Sequence, residues 1–335
     1  MAHTVCLIPG DGIGPEVAQA ARDVLDATNI GINWVELAAG AAALETHGAV
    51  LPEETVQSID AYRVALKGPI TTPIGKGFTS VNVGLRRRLN LFAAVRPVRS
   101  MPGVKTRYEN VDLVVIRENT EGLYSGIENE VTPGVVQSLK IATREACWRI
   151  AKFALNYAVE RERKRVTMFH KANIMKLSDG LFLECAHEAH EKFGTGIELD
   201  ELIVDNGCMQ LVSDPTRFDI VLMENLYGDI VSDLCAGLVG GLGVVPGANI
   251  GKGCAVFEAV HGSAPTIAGQ NVANPLALIM SGAMMLNHLG ETDAAERMKN
   301  AYDAVLEEGN PEEITADIGG KGTTSGFAKA IIARM

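Results

Sequence analysis

Thr4-Val-Cys-Leu-Ile8, followed by Pro9-Gly10-Asp-Gly-Ile-Gly14 and then by Pro15 to Ala27, is the stretch that decides the fold class. The first run is an apolar strand, the second a turn, and the third a helix with proline near its first turn. Further strand-like runs follow at 31–37, 63–67, 91–95, 111–116, 165–169, 197–204 and 220–223, with helical patterns between many of them. This alternation predicts an α/β chain, a central sheet with helices on its faces. Helices are expected at 226–240 and, closing the chain, at 274–289, 292–308 and 325–334. The glycine turn itself is not a dinucleotide fingerprint. Pro15 stands where a third glycine is needed, and no acidic residue closes a clear second strand. A standard Rossmann site is therefore rejected.

Residues 120–142 break the alternation. Gly122 to Glu128 and Val135 to Ile141 read as two strands joined by Thr132-Pro-Gly134. A hairpin with no covering helix has an edge to hide, and pairing with a second subunit is one way to hide it.

A chain of 335 residues is expected to form two domains. It is 47% hydrophobic with 35 glycines and 5% aromatic residues, which suits an α/β protein with many tight turns. The formal net charge of -11 argues against a nucleic-acid surface, so any anionic ligand needs a local basic pocket. Cysteines 6, 147, 185, 208, 235 and 254 form no CxxC pair and sit mostly in apolar runs, which implies buried free thiols and a reducing compartment. The opening residues lack an export signal, and Leu276 to Leu286 is too short to span a bilayer, so no membrane partner is expected. A cytoplasmic location is the corresponding expectation.

Asn225-Leu-Tyr-Gly-Asp229-Ile-Val-Ser-Asp233 carries two aspartates four residues apart, which a helix stacks on one face. Asp205 ends the apolar run 197–204, where α/β proteins present their chemistry. Oxygen-only donors favour Mg²⁺ or Mn²⁺ over zinc; the alternative is a solvated first helical turn. Arg86, Arg87, Arg88, Arg96, Arg99 and Arg117 gather in an otherwise acidic chain. Arg87 and Arg88 read as a solvated face. Arg86, Arg96 and Arg117, beside the aspartates, suit a pocket for a metal-bound polycarboxylate, with Arg96 and Arg117 each following an apolar strand. Lys171 is a candidate base and Tyr124 a candidate acid. His261-Gly-Ser-Ala-Pro265 is a plausible cradle for a diphosphate. Cys185, His187 and His190 lie in an amphipathic helical segment without a fourth ligand and read as structural.

Together these segments resemble the β-decarboxylating dehydrogenases, which act on isocitrate, isopropylmalate, homoisocitrate and tartrate. The resemblance spans nearly the whole chain through Ile8–Glu16, Arg117-Glu-Asn-Thr-Glu-Gly-Leu-Tyr124, His170-Lys-Ala-Asn-Ile-Met175, Asn225–Asp233 and Glu258-Ala-Val-His-Gly-Ser-Ala-Pro265. Lys67-Gly-Pro-Ile-Thr-Thr-Pro73 followed by Ser80-Val-Asn82 and Arg86 is closest to the isocitrate branch.

The resemblance implies a two-domain fold that is not a Rossmann fold, with a mixed sheet and a dimer-clasp hairpin. Residues 1–97 plus 251–335 would form a large cofactor domain, and 98–250 a smaller domain holding the dimer interface with metal and substrate residues. It implies NAD-dependent oxidative decarboxylation of isocitrate by a homodimer with shared sites. The alternatives are a homoisocitrate or isopropylmalate dehydrogenase, or a regulatory subunit. Ser80, Asn82, Arg86, Arg96 and Arg117 would bind substrate, Asp205, Asp229 and Asp233 the metal, and Tyr124 and Lys171 would be the catalytic pair. Lys171 and Asp205 would come from the partner chain. Thr71, Thr72, His261, Gly262, Ser263, Ala264, Thr266, Ile267, Asn274 and Asp317 would meet the cofactor. Thr266-Ile267 replaces the Lys-Tyr of NADP-dependent relatives, which favours NAD.

Overall fold

The computed structural model describes residues 2–72 and 80–335; Pro73, the end of one quoted motif, lies outside the described residues. In chain order the strands are β1 His3–Ile8, β2 Ile32–Glu36, β3 Val64–Lys67, β4 Ala93–Arg99, β5 Asp112–Glu118, β6 Glu128–Thr132, β7 Val135–Ser138, β8 Arg165–His170, β9 Glu198–Ile203, β10 Ile220–Met223, β11 Pro246–Ile250 and β12 Ala255–Ala259. The helices are α1 Gly14–Asp26, α2 Ala41–His47, α3 Glu53–Tyr62, α4 Val81–Arg88, α5 Arg144–Glu160, α6 Ser178–Phe193, α7 Val204–Ser213, α8 Asn225–Leu238, α9 Leu276–His288, α10 Thr292–Glu308 and α11 Thr324–Ile332.

Ten strands form one mixed sheet in the order β2-β1-β3-β12-β11-β4-β5-β10-β8-β9. Its two wings are parallel, β2-β1-β3-β12 and β5-β10-β8-β9, while the ladders β12-β11, β11-β4 and β4-β5 between them are antiparallel. The first wing comes from both ends of the chain and the second from its middle. The expected boundary at 97/98 falls inside β4, and that at 250/251 falls at the end of β11, so the sheet itself is continuous across both.

The period of two in β5 decides what lies on each face. Val114 and Ile116 pack in the cluster built on α5 and α6, whereas Leu113 and Val115 pack in the one containing Val231 and Cys235 of α8. Arg117 continues the second row, where an apolar residue would otherwise stand. Helix α1 buries Val17, Ala21, Val24 and Leu25 at helical spacing. Helix α9 is buried on nearly all sides, as its uniform hydrophobicity predicts.

Three expectations need correction. Strands β11 and β12 are missing from the sequence reading because Pro246, Gly247 and Asn249 are poor strand residues and β12 is short. Pro246 is tolerated as the first residue of its strand. The run expected at 91–95 is displaced to β4, so Arg96 lies within a strand rather than after one. Pro97 fits there because the β11 ladder stops at Val95, leaving only β5 as a neighbour. In the hairpin, Leu123–Ser125 is a 3-10 turn, and the paired strands β6 and β7 are shorter than expected. Every residue of β6 and β7 is exposed, including Val131, Val135 and Val136.

Leu113 is fully buried in the central strand β5. Leu113→Ala is expected to cost about 2–5 kcal/mol in urea unfolding; a loss well below 1 kcal/mol would contradict the packing described.

Candidate active site

Helix α8 presents the acidic edge. Its N-cap, Glu224, accepts from the backbone N–H groups of Leu226 (3.3 Å) and Tyr227 (3.2 Å), so the helix begins where Asn225 can reach the sheet. Arg117 on β5 is 0% exposed and donates through Nε (3.0 Å) and Nη2 (2.6 Å) to Asn225 Oδ1 and through Nη1 to Asp229. Gly228 makes this possible, since a Cβ there would stand 2.5 Å from Arg117 Cγ. The other oxygen of Asp229 accepts from the Tyr124 hydroxyl, and Arg117 lies 5.0 Å from the Tyr124 ring. One turn on, Asp233 is paired with Arg96 Nη1 at 3.2 Å, and Arg96 also donates to Ser232.

A second buried network closes the other wall. Lys67 at the end of β3 pairs with Glu258 of β12 at 2.8 Å. Asn249 donates to the same carboxylate at 2.7 Å, and Arg86 of α4 lies 3.5 Å from it. Sequence reasoning left Lys67 and Glu258 unassigned; their signal was a charge in each of two otherwise apolar strands. Both line one cleft with Ser80, Asn82, Arg86, Arg96, Tyr124, Asp229, Asp233, His261 and Gly262. Arg117 is not among these residues and forms part of the layer beneath. The expected solvated Arg87 is exposed, yet it donates to the Tyr124 carbonyl and so helps hold that residue.

Burial dominates the electrostatics. Burial would raise Glu258, but Lys67 and Arg86 outweigh it and hold the carboxyl well below its ordinary range. Burial would likewise raise Asp229, and Arg117 with the Tyr124 hydroxyl brings it below normal. Burial, reinforced by the Asp229 carboxylate, pushes Tyr124 up, so the phenol keeps its proton at neutral pH. Burial and the neighbouring Arg86 bring Arg117 down to about 10, which leaves it cationic.

Two buried atoms at the cleft, Asn82 Oδ1 and Arg86 Nε, have no partner in the protein. A buried donor and a buried acceptor left unpaired mark a place where a ligand completes the bonding. Asp229 and Asp233 offer a hard, oxygen-only pair suited to Mg²⁺ or Mn²⁺, with too few donors to enclose an ion alone. Asp205 does not complete that set within the chain. It opens α7 and is paired at 2.5 Å with Lys171, and among the described residues no three such donors gather. Lys171 correspondingly meets Asp205 rather than Tyr124. The cause is topological: β9, which precedes Asp205, is three ladder spacings from β5, about 14 Å.

An adjoining cleft shares His261 and Gly262 and is walled by Ile13, Ala264, Ile267, Asn274 and Asp317. Asn274 and Thr315 donate to Asp317 at 2.9 and 2.6 Å. Burial lowers His261, and its buried Nε2 lacks a protein partner, as a cofactor site would leave it. The Thr71 and Ser263 hydroxyls bond at 2.6 Å, and Thr72 Oγ1 accepts from Val81 N–H at 3.2 Å. Ile267 faces this cleft, whereas Thr266 is exposed and does not line it.

An exposed helical glycine gains up to about 1 kcal/mol on becoming alanine. Gly228→Ala is instead expected to lose about 1–3 kcal/mol in urea unfolding because Arg117 must shift. A gain would show that Arg117 does not lie against Gly228.

Residues 4–331 match the family model described as isocitrate/isopropylmalate dehydrogenase. The chain is 52% identical to the isocitrate dehydrogenase [NAD] catalytic subunit 5, mitochondrial, of Arabidopsis thaliana over 98% of this chain and 87% of that one. It is 50% identical to a mitochondrial isocitrate dehydrogenase [NAD] regulatory subunit of Dictyostelium discoideum over 99% and 91%. A crystal structure of isocitrate dehydrogenase from Methylococcus capsulatus superposes with a TM-score of 0.95 at 49% identity, covering 99% of both chains. The mitochondrial names of these sequence relatives overturn the expected cytoplasmic location. Buried free thiols require only reducing conditions, which the mitochondrial matrix also provides, so cysteine usage could not separate the two. With a match over almost its full length and about half its residues shared with these proteins, the chain belongs to the isocitrate/isopropylmalate dehydrogenase family.

Proposed function

We propose that this chain is a catalytic, NAD-dependent isocitrate dehydrogenase that requires Mg²⁺ or Mn²⁺ and forms 2-oxoglutarate and CO₂. The observation that carries the reading is charge balance around one cleft. Lys67, Arg86, Arg96 and Arg117 oppose Glu258, Asp229 and Asp233, which leaves one net positive charge. A tricarboxylate with a divalent cation carries one net negative charge, so the pair is matched. The names of the relatives favour the same substrate and cofactor.

In this reading Ser80, Asn82, Arg86 and Arg96 orient the substrate carboxylates, and Arg117 keeps Asp229 ionised and aimed at the cleft. Asp229 and Asp233 supply two metal ligands, and the partner's Asp205 supplies the third. The metal polarises the developing carbonyl and stabilises the enolate, while NAD accepts the hydride from the substrate carbon bearing the 2-hydroxyl. The partner's Lys171 takes the proton from that hydroxyl, and Tyr124 protonates the carbon that loses CO₂. The pairing of Lys171 with Asp205 supports delivery of both together from a second copy. The exposed valines of the hairpin suit the clasp between copies. The substrate and cofactor clefts lie at the junction of a large domain, 1–97 plus 251–335, and a smaller one, 98–250, whose closure would exclude water. Ile267 in place of a tyrosine, and Thr266 in place of a lysine, favour NAD over NADP.

A regulatory role is the second reading, favoured by the Dictyostelium relative. Retention of Tyr124, Lys171 and all three aspartates argues against it. Ser80 and Asn82 likewise argue against homoisocitrate or isopropylmalate as substrate.

Purified chain with isocitrate and Mn²⁺ is expected to turn over with NAD in preference to NADP and to stop with excess chelator. No turnover until a different chain of the family is added would instead favour the regulatory reading. The shared site has its own signature. Tyr124→Phe and Lys171→Met, each inactive, are expected to recover roughly a quarter of wild-type activity when unfolded and refolded together, because half of the random dimers hold one intact site. No recovery in correctly mixed dimers would place the whole site within one chain.

A further inference from the structure

The Gly10-Asp-Gly-Ile-Gly14 turn is unused by the chemistry above, yet it touches both walls of the proposed cofactor cleft. Its N–H groups do not point at a ligand. Asp11 N–H donates to Pro69 O (2.8 Å), Ile13 N–H to Ser263 O (2.8 Å), and Gly14 N–H back to Asp11 O (2.9 Å). The glycines serve close approach: a Cβ on Gly10 would stand 2.1 Å from Pro69 O, and one on Gly12 would stand 2.0 Å from Ser263 O. The turn is thus wedged between the segment 67–72 and the segment 261–267.

The Asp11 side chain completes the wedge. It is buried, and its carboxylate accepts from three backbone N–H groups: Thr71 (2.7 Å) and Ala41 (3.0 Å) on Oδ2, and Ala42 (2.9 Å) on Oδ1. Gly40, at φ +97°, lets the start of α2 come this close, since a Cβ there would meet Asp11 Oδ2 at 2.0 Å. Thr71 so held places its hydroxyl 2.6 Å from Ser263 Oγ, and Ile13, two residues after Asp11, presents its side chain to the cleft. Only an ionised carboxylate accepts from three donors at once without offering a donor of its own.

We infer that Asp11 is a positioning residue for the cofactor: by gripping the Thr71 N–H and the start of α2, it sets the spacing between the Thr71 and Ser263 walls. This rests on the reading of the cleft at Ile13 and His261 as the dinucleotide site. It makes the glycine turn a clamp on the cofactor loops rather than a phosphate cradle.

The test is Asp11→Asn, which keeps the shape but turns an N–H₂ toward an N–H donor. The KM for NAD and the dissociation constant of NADH, followed by its fluorescence, are expected to rise about tenfold, the effect of one buried donor losing its acceptor. The kcat at saturating NAD and the KM for isocitrate are expected to stay within about twofold. Ala41→Pro, which removes one donor at a helix position that tolerates proline, is expected to give a smaller rise in the same two constants and keeps the test open if Asp11→Asn does not fold. A folded Asp11→Asn with unchanged NADH affinity would overturn the inference, as would an equal loss in kcat and both KM values. If the unaltered chain turned over no isocitrate, the functional reading would fall, while NADH binding to wild type and variant would still judge the clamp. If the unaltered chain bound no NADH, both would fall.

Discussion

Arg117 is the side chain on which the site depends. A guanidinium with no exposure at the end of a central strand is costly to desolvate, and only close partners on every side make it tolerable. Asn225 and Asp229 supply them from α8, and Gly228 supplies the room. The cost of burying one charge therefore fixes the helix to the sheet in one register. That register brings Asp229 under Tyr124 and Asp233 beside Arg96.

The second network, Lys67 with Glu258, Asn249 and Arg86, has the same character on the opposite wing. Buried ion pairs add little net stability, and breaking one is expensive. Their value here lies in aim. They hold Arg86 and Arg96 in the cleft with their charges only partly compensated, so that a polyanion can supply the remainder. Each wing contributes one network, and the antiparallel strands β4 and β11 join them.

Some of this was legible in the residues. Strand and helix alternation, the i,i+4 spacing of Asp229 and Asp233, and the refusal of the glycine turn to match a dinucleotide fingerprint all follow from local pattern. The burial of Arg117 was not legible, because a cation after an apolar run reads equally well as a strand end reaching solvent. Strands β11 and β12 were missed because proline, glycine and asparagine carry no strand signal, and their pairing depends on distant partners. Lys67 and Glu258 each looked like an isolated charge until β3 and β12 were paired.

The sequence by itself determined the α/β class, the exposed hairpin and the chemical kinds of group available, because hydrophobic periodicity and ligand type are properties of neighbouring residues. Tertiary structure alone decided which of those groups meet. It joined Arg96 to Asp233 across 137 positions and Thr71 to Ser263 across 192, and it kept Asp205 with Lys171, away from the other two aspartates. The physical reason is that a site is assembled by strand order and by the compensation of buried charge, and both are set by contacts far apart in the chain.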